Sequence, residues 1–585
     1  MNFLRNFLAS ILGTLVAFGV LFFMFILLAS LLNTEDAVVV AKNSVLELKI
    51  KYPIRDFVGN DDADPFSLFF ERSQSLDDIL DAIKVAKEDD KIKGISISNN
   101  FLSAGYSTAQ AIRKALENFK ESGKFVFAYG DFYSQKDYYL ASVADSVFIN
   151  PVGSMDFKGL SAEVLYFKSL QEKSGVKMEV IRHGKYKSAV EPFLADEMSE
   201  ENRNQISELL GSFWNEIITE ISISRNLSAD QLNTIADTLG GRNPIYAKRT
   251  GLIDDLLHYD EYENKLKALL GLEKTNELNT INLRKYTKIS NVKRLKTGKD
   301  KLAVIFAQGQ IFYGEGGPDN IGQGIIVKAI RKARDDKSVK AIVLRVNSPG
   351  GSAVVADIIW RELELAKKEK PLVVSMGDMA ASGGYYIAAG ANKIYAEPTT
   401  ITGSIGVFGT IPNISELAKN VGINAEQVGT NKNSVDYSLF EPMSNEFRKV
   451  VTESVEDVYD IFLERVASGR GLTIAEVDSL AQGRVWSGAD AKENGLIDEL
   501  GGLEDAIVEA SKLAELKEYS LKKYPRYKSS FERFMEDMEG ASLQVKQNWV
   551  REELGPELFS LYYEVKGVMN QKGVQARVPH SLTIK

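Results

Sequence analysis

A serine followed by two glycines, Ser382-Gly383-Gly384, stands where one apolar run gives way to another. Pro371–Met376 (PLVVSM) reads as a buried parallel strand, and Tyr385–Ala391 as a helix of small and apolar residues. Ser382 therefore falls at a strand-to-helix turn, where paired glycines permit a tight bend and close approach of another backbone. The first N–H groups of such a helix lack acceptors within it and suit a developing negative charge. A nucleophilic hydroxyl beside an oxyanion site fits this pattern. A plain helix cap fits it too, and the local residues leave both readings open.

A second strand-like run, Ala341–Val346 (AIVLRV), leads into Asn347-Ser348-Pro349-Gly350-Gly351-Ser352. Its Pro-Gly-Gly turn exposes backbone N–H groups with no side chain in the way. Taken together, NSPGG, ASGGYY about 30 residues on, and TGSIG beyond it resemble the signal peptide peptidase A (protease IV) family. The resemblance covers the chain from about residue 40 to 510. It implies a membrane-anchored serine peptidase related to the Clp protease and crotonase folds, acting on remnant signal peptides and other peptides near the membrane. It also implies a homotetramer shaped like a bowl, with its sites facing inward.

A serine hydroxyl needs a neighbour to take its proton before it attacks an amide. Three histidines (His183, His258, His580) provide poorly for a Ser-His-Asp arrangement, whereas a lysine kept neutral by desolvation can do the same work. Gly184-Lys185-Tyr186-Lys187-Ser188-Ala189-Val190-Glu191-Pro192-Phe193 matches the family's lysine segment, and the resemblance makes Lys187 the general base. Its rivals are Lys432, in a segment that echoes Gly184–Lys187 inside the serine's own repeat, then His183, and then Lys185, which would face the same side of a strand. The resemblance also assigns Ser404 to hold the lysine amine, and the backbone N–H groups of Gly351 and Ser382 to the oxyanion hole. It calls for no cofactor and no metal.

These residues need a scaffold, and the chain supplies one twice. Shifted by 247 residues, the sequence falls on itself without a gap for about 75 positions: Ala82-Ile83 on Ala329-Ile330, Gly130-Asp131 on Gly377-Asp378, Tyr138-Tyr139 on Tyr385-Tyr386, Pro151 on Pro398. Strand-like runs (Gly94–Ser98, Phe125–Tyr129) alternate with helix-like ones (Asp77–Lys87, Thr108–Lys120), which predicts α/β units with mainly parallel sheets. The fold expected is thus α/β, two tandem crotonase/Clp-protease-like repeats after an N-terminal transmembrane helix. Its parts are an anchor (1–35), a first repeat (36–290), a second repeat (291–520) and a helical tail (521–585), with the polar stretch Asn291–Asp300 as the joint. The copies differ at the proposed reactive loops. Ser382 falls on Gln135, Gly383-Gly384 on Lys136-Asp137, and Gly350-Gly351 on Ser103-Ala104. The first copy has no nucleophile, so the lysine would be its contribution.

Length and composition bound the rest. At 585 residues the chain exceeds what one core usually holds. A net charge of −9 argues against nucleic acid as a partner, and the lack of cysteine excludes disulfides and thiolate chemistry. Phe7–Leu32 is uncharged and longer than the ~20 residues that span a bilayer, so an uncleaved anchor is expected. With Arg5 before it and Glu35-Asp36 after, the bulk of the chain is placed outside the cytosol; the resemblance implies the outer side of the bacterial inner membrane. Near the carboxy terminus, Phe531, Phe534, Met535 and Met538 are spaced as one face of an amphipathic helix. Two other classes remain at this stage: a crotonase-type enzyme acting on acyl-CoA, and an inactive membrane scaffold.

Overall fold

The computed structural model describes residues 39–59, 74–99, 101–294, 298–431, 433–434, 437–527, 575–577 and 583–584, together with 5–7, 9–10, 13–14, 16–22 and 24. The runs of β-branched and aliphatic residues form strands whose burial is continuous rather than alternating, as in Lys301–Gln308 and Val339–Ser348. That is the pattern of parallel sheets covered by helices on both faces.

The first half builds a six-stranded parallel sheet in the order Thr280–Asn282, Ser44–Leu48, Ile92–Ile97, Phe125–Tyr133, Ser146–Met155, Asp255–Leu256. Helices Leu76–Glu88 and Tyr106–Lys120 bury their apolar stripes against it, the former begun by Ser75, whose hydroxyl accepts from Asp78 N. The second half builds an eight-stranded sheet, in which Val485–Ser487, Ile401–Gly403, Leu372–Ala381, Val339–Ser348, Lys301–Gln308 and Ser520–Tyr524 lie side by side. Only Val485–Ser487 runs antiparallel to its neighbour. Helices Gln323–Asp335 and Ala353–Lys367 cover it.

A third sheet joins the halves. Lys177–His183, from the first half, pairs antiparallel with Val407–Asn413 of the second, from Val407 opposite His183 to Asn413 opposite Lys177. Buried polar contacts reinforce the joint. Arg345 holds Asp56 at 2.8 Å with both side chains almost fully buried, and Asp378 accepts from Gly105 N, Thr108 N and Thr108 Oγ1 at the start of the first half's helix. Such contacts leave a buried charge uncompensated if either partner is removed, so the halves are fixed in one relative orientation.

Two expectations fall largely on residues outside this description. Among the described residues no helix is long and apolar enough to cross a membrane. Residues 25–32 of the expected anchor lie wholly outside the described residues, as does the amphipathic stretch 531–538. What is described of the expected helical tail is extended instead. Ser520–Tyr524 pairs in parallel with residues 301–305, and Gln575–Arg577 and Thr583–Ile584 are strands as well. In the first of these, pairing with an open sheet edge sets the conformation.

Candidate active site

The strand Leu372–Ala381 ends at Ser382, and the helix Gly383–Ala388 begins at once. Ser382 holds φ 55 and ψ −118, a backbone region that a residue with a Cβ rarely occupies and that costs of order 1–3 kcal/mol. It stands at the helix N-cap position, but its side chain makes no cap hydrogen bond. The hydroxyl turns instead toward Lys187, whose Nζ lies 2.9 Å away although 195 positions separate the two residues. Both are buried. The plain-cap reading of Ser382 is thereby excluded.

Lys187 arrives from the first half just after the strand Lys177–His183 and before a 3-10 turn, Ser188–Phe193. Because that strand pairs with Val407–Asn413, the residues after it are carried against the segment that follows Ser404. Nζ lies 3.0 Å from both the carbonyl and the hydroxyl oxygen of Ser404. Ser404 is itself fixed at φ 48 by its N–H, which donates to Arg484 O at 2.6 Å. Val164, Pro192, Met379, Ile401 and Val485 line a small cavity on the same side. Burial in these surroundings is the sole cause that pushes the Lys187 amine well below the ordinary lysine range.

Gly351 lies on the short strand Gly350–Ser352 beside Ile311. A Cβ there would sit 2.1 Å from the Ile311 carbonyl oxygen, so only glycine fits. One expected donor is otherwise engaged. The N–H of Ser382 donates to Gly403 O at 2.8 Å, because Ala381 and Gly403 are sheet neighbours and the ladder runs one residue further. The next donor along the chain is the N–H of Gly383, which as the first helical residue has no acceptor in its own helix.

Two of the rival bases stand elsewhere. His183 stacks on Tyr459 with ring centroids 4.0 Å apart. Lys185 is exposed, its Nζ 5.1 Å from the centre of the Tyr186 ring. Residues 184–186 form a turn rather than a continued strand, so Lys185 and Lys187 do not share a face. Lys432 lies outside the described residues.

In the first half the matching positions are filled. Gln135 Oε1 accepts from the N–H groups of Lys158 and Gly159, and its Nε2 donates to Gly159 O. Lys136, in the place of Gly383, donates to the carbonyl of Ala104, in the place of Gly351. Ser103 is exposed.

Gly483 is a site residue that motif reading missed. It packs on the backbone of Lys187, and the preceding Gln482 carbonyl accepts from Tyr186 N at 2.9 Å. A signal existed, since Gly241-Arg242 of the first half recurs as Gly483-Arg484.

Comparison with known proteins yields consistent matches. Residues 118–273 and 364–517 match the model of peptidase family S49. Protease 4 of Haemophilus influenzae is 41% identical over 452 residues, covering 76% of this chain and 73% of that protein. Protease 4 of Salmonella typhi is 41% identical over 483 residues, covering 80% and 77%. The chloroplastic serine protease SPPA of Arabidopsis thaliana is 33% identical over 486 residues, covering 82% and 70%.

Proposed function

The chain belongs to peptidase family S49, and from that premise we propose that it is a serine endopeptidase working through a Ser382–Lys187 dyad. The observation that carries this reading is the position of Lys187 Nζ between Ser382 Oγ and the two oxygens of Ser404. A neutral amine has two N–H groups and one lone pair. Donation to the Ser404 carbonyl and hydroxyl uses both N–H groups and leaves the lone pair facing the Ser382 hydroxyl.

Ser382 Oγ attacks the peptide carbonyl as Lys187 takes its proton. The oxyanion is held by the N–H of Gly351 and by that of Gly383, in place of the Ser382 N–H. Lys187 then passes the proton to the leaving amine, which departs, and water, deprotonated by the neutral Lys187 amine, hydrolyses the acyl-enzyme. Desolvation keeps Lys187 ready to accept, since an ordinary lysine near pKa 10.4 is protonated at neutral pH.

The substrates we propose are remnant signal peptides and other peptides near the membrane, met by an enzyme anchored through residues 7–32. The catalytic bulk stands on the outer side of the bacterial inner membrane, as a homotetramer. A serine-reactive phosphonate, followed by peptide mapping, tests the chemistry. Modification of Ser382, lost in both Ser382→Ala and Lys187→Ala, is the expected result. Modification at another serine overturns the assignment.

A further inference from the structure

One helix of the first half reaches both pieces of backbone that hold the amine. Glu200–Arg225 presents Gln205, Glu208 and Ser212, three and then four residues apart, to residues 484–487 of the second half. Gln205 Oε1 accepts from Val485 N at 3.0 Å, Glu208 pairs with Arg484, and Ser212 Oγ donates to Ser487 Oγ at 2.8 Å. The other end of the Gln205 amide meets the lysine's turn. Its Nε2 donates to Ser188 Oγ at 3.3 Å, and that hydroxyl donates to Tyr186 O at 3.1 Å. Lys187 stands between those two residues, and the buried Gln205 lines the same small cavity.

A carboxylate sets the orientation of that amide. Glu191 accepts from Ser199 N at 3.0 Å on one oxygen and from Asn202 Nδ2 at 2.6 Å on the other. Since a carboxylate only accepts, Asn202 turns its NH2 to Glu191 and its carbonyl away. That carbonyl accepts from Gln205 Nε2 at 3.3 Å, which leaves Oε1 for Val485. Both N–H groups of the Gln205 amide are thus engaged within the protein. On the far side, Val485 lies opposite Gly403 in the sheet and follows Arg484, whose carbonyl accepts the Ser404 N–H. One side chain therefore links the backbone on either side of Lys187 to the backbone that fixes Ser404. The charged groups around the turn have partners of their own: Arg182 donates to Lys187 O at 3.2 Å, Glu191 is bound as above, and Arg484 pairs with Glu208.

We propose that Gln205 is a positioning residue for the dyad, a bridge between the halves that holds the Lys187 turn at a fixed distance from Ser404 and so keeps Nζ in line with Ser382. This rests on the peptidase reading of the same site. Gln205 acts through Lys187 and not on the reacting atoms. The strand pairing that joins the halves ends at His183 opposite Val407. Beyond it, the backbone of the turn is tied to the second half by Tyr186 N on Gln482 O and, through Ser188, by Gln205 on Val485. Loss of the second tie lets the turn shift, and a shift of about 1 Å at a reacting pair costs on the order of 10²-fold in rate.

The experiment compares the full chain with three variants. Gln205→Met keeps the length of the side chain and loses its hydrogen bonds. Gln205→Glu keeps an acceptor for Val485 N and loses the donors, so it decides the question if Gln205→Met does not fold. Ser212→Ala removes a contact between the same helix and the same strand that does not reach the lysine's turn. With an internally quenched peptide, both Gln205 variants should lower kcat by about 10- to 100-fold with KM within about twofold of wild type. Ser212→Ala should stay within about twofold on both. The pH dependence of Ser382 labelling by the phosphonate, at a temperature where every chain is folded, separates positioning from a loss of stability. Burial alone lowers the Lys187 pKa, and an amine that regains water charges more readily, so the midpoint of labelling should move to higher pH in both Gln205 variants. Wild-type kcat in a folded Gln205 variant overturns the inference, and so does a change in KM alone, which would set Gln205 against substrate. An unmoved midpoint, or an equal loss in Ser212→Ala, overturns it as well, because docking of the helix would then be all that matters. In each of those cases an active, labelled wild type leaves the peptidase reading standing. A wild type that neither hydrolyses peptide nor reacts with the phosphonate overturns that reading and the inference with it.

Discussion

A Cβ built on Gly483 would lie 2.6 Å from both the Cα and the Cβ of Lys187. Gly483 also holds φ +82, and its N–H donates to Ile405 O at 2.8 Å, so neither its position nor its conformation leaves room for a side chain. Lys187 of one half thus rests on a bare stretch of backbone from the other.

Gly483→Ala should therefore push Lys187 away from Ser382 without touching either residue. A displacement of about 1 Å at a reacting pair costs on the order of 10²-fold in rate. We expect kcat for peptide hydrolysis to fall by about that factor with the chain still folded. Wild-type kcat in the variant would show that the close packing has no catalytic consequence.

Variants of the two lysines separate the candidates for the base. Lys187→Ala and Lys187→Arg should both abolish acylation, the second because a guanidinium stays protonated and accepts nothing. Lys432→Ala should keep most of the activity. Phosphonate labelling rates measure all three, and a dead Lys432→Ala beside an active Lys187→Ala would move the base into the serine's own repeat.

Burial lowers the Lys187 pKa, and the sign of the resulting pH dependence follows. Only the neutral amine accepts a proton, so kcat/KM should rise with pH through the depressed value and level off well short of ~10.4. Stability moves the same way. Between the depressed folded value and ~10.4, the unfolded chain binds a proton that the folded chain does not, so this lysine's contribution to stability increases as pH rises. Lys187→Met, free of that desolvation cost, should have a higher Tm than wild type near neutrality, with the gap closing as pH climbs. Thermal melts across pH check the second half of the statement, and a gap that widens with pH contradicts it.

Ser404 supplies two of the three contacts at Nζ, one from backbone and one from side chain. Removing the hydroxyl leaves the carbonyl in place, so the amine should be loosened rather than lost. Because Ser404 sits at φ 48, glycine is the cleaner replacement. Ser404→Gly should lower kcat by about 10- to 100-fold, the range of a positioned acid–base contribution, with KM little changed. A KM effect alone would mean that Ser404 contacts substrate and not the lysine.

The sequence announced strands and helices well where period and length agreed. Ala341–Val346 lies inside the strand Val339–Ser348, and Asp77–Lys87 inside the helix Leu76–Glu88. Ser382 was visible because a strand, a serine and two glycines are contiguous. Lys187 was not visible from its surroundings, since nothing in a local window tells a buried lysine from a solvated one. The motif singled it out, and the antiparallel pairing of 177–183 with 407–413 is a non-local fact that no window contains. The same limit hid Gly483. It also hid the engaged N–H of Ser382, which depends on how far the ladder to Gly403 continues. The tail strand at 575–577 is too short to carry a period, and only its partners make it a strand.

The first half's filled site yields the last prediction. Gln135 occupies the position of the nucleophile and ties down Lys158 and Gly159 through three hydrogen bonds of 2.9–3.0 Å. Its side chain is a structural substitute for the site that its own half lacks. Gln135→Ala would leave two part-buried N–H groups and a carbonyl without that partner, at a cost of about 0.5–1.5 kcal/mol for each bond lost. The melting temperature should drop accordingly. Labelling of Ser382 by the phosphonate, at a temperature where both proteins are folded, should stay within about twofold of wild type, because none of the three bonds reaches Lys187 or Ser404. A loss of labelling comparable to that of Lys187→Ala would place Gln135 in the catalytic machinery, and the first half would then contribute more than its lysine.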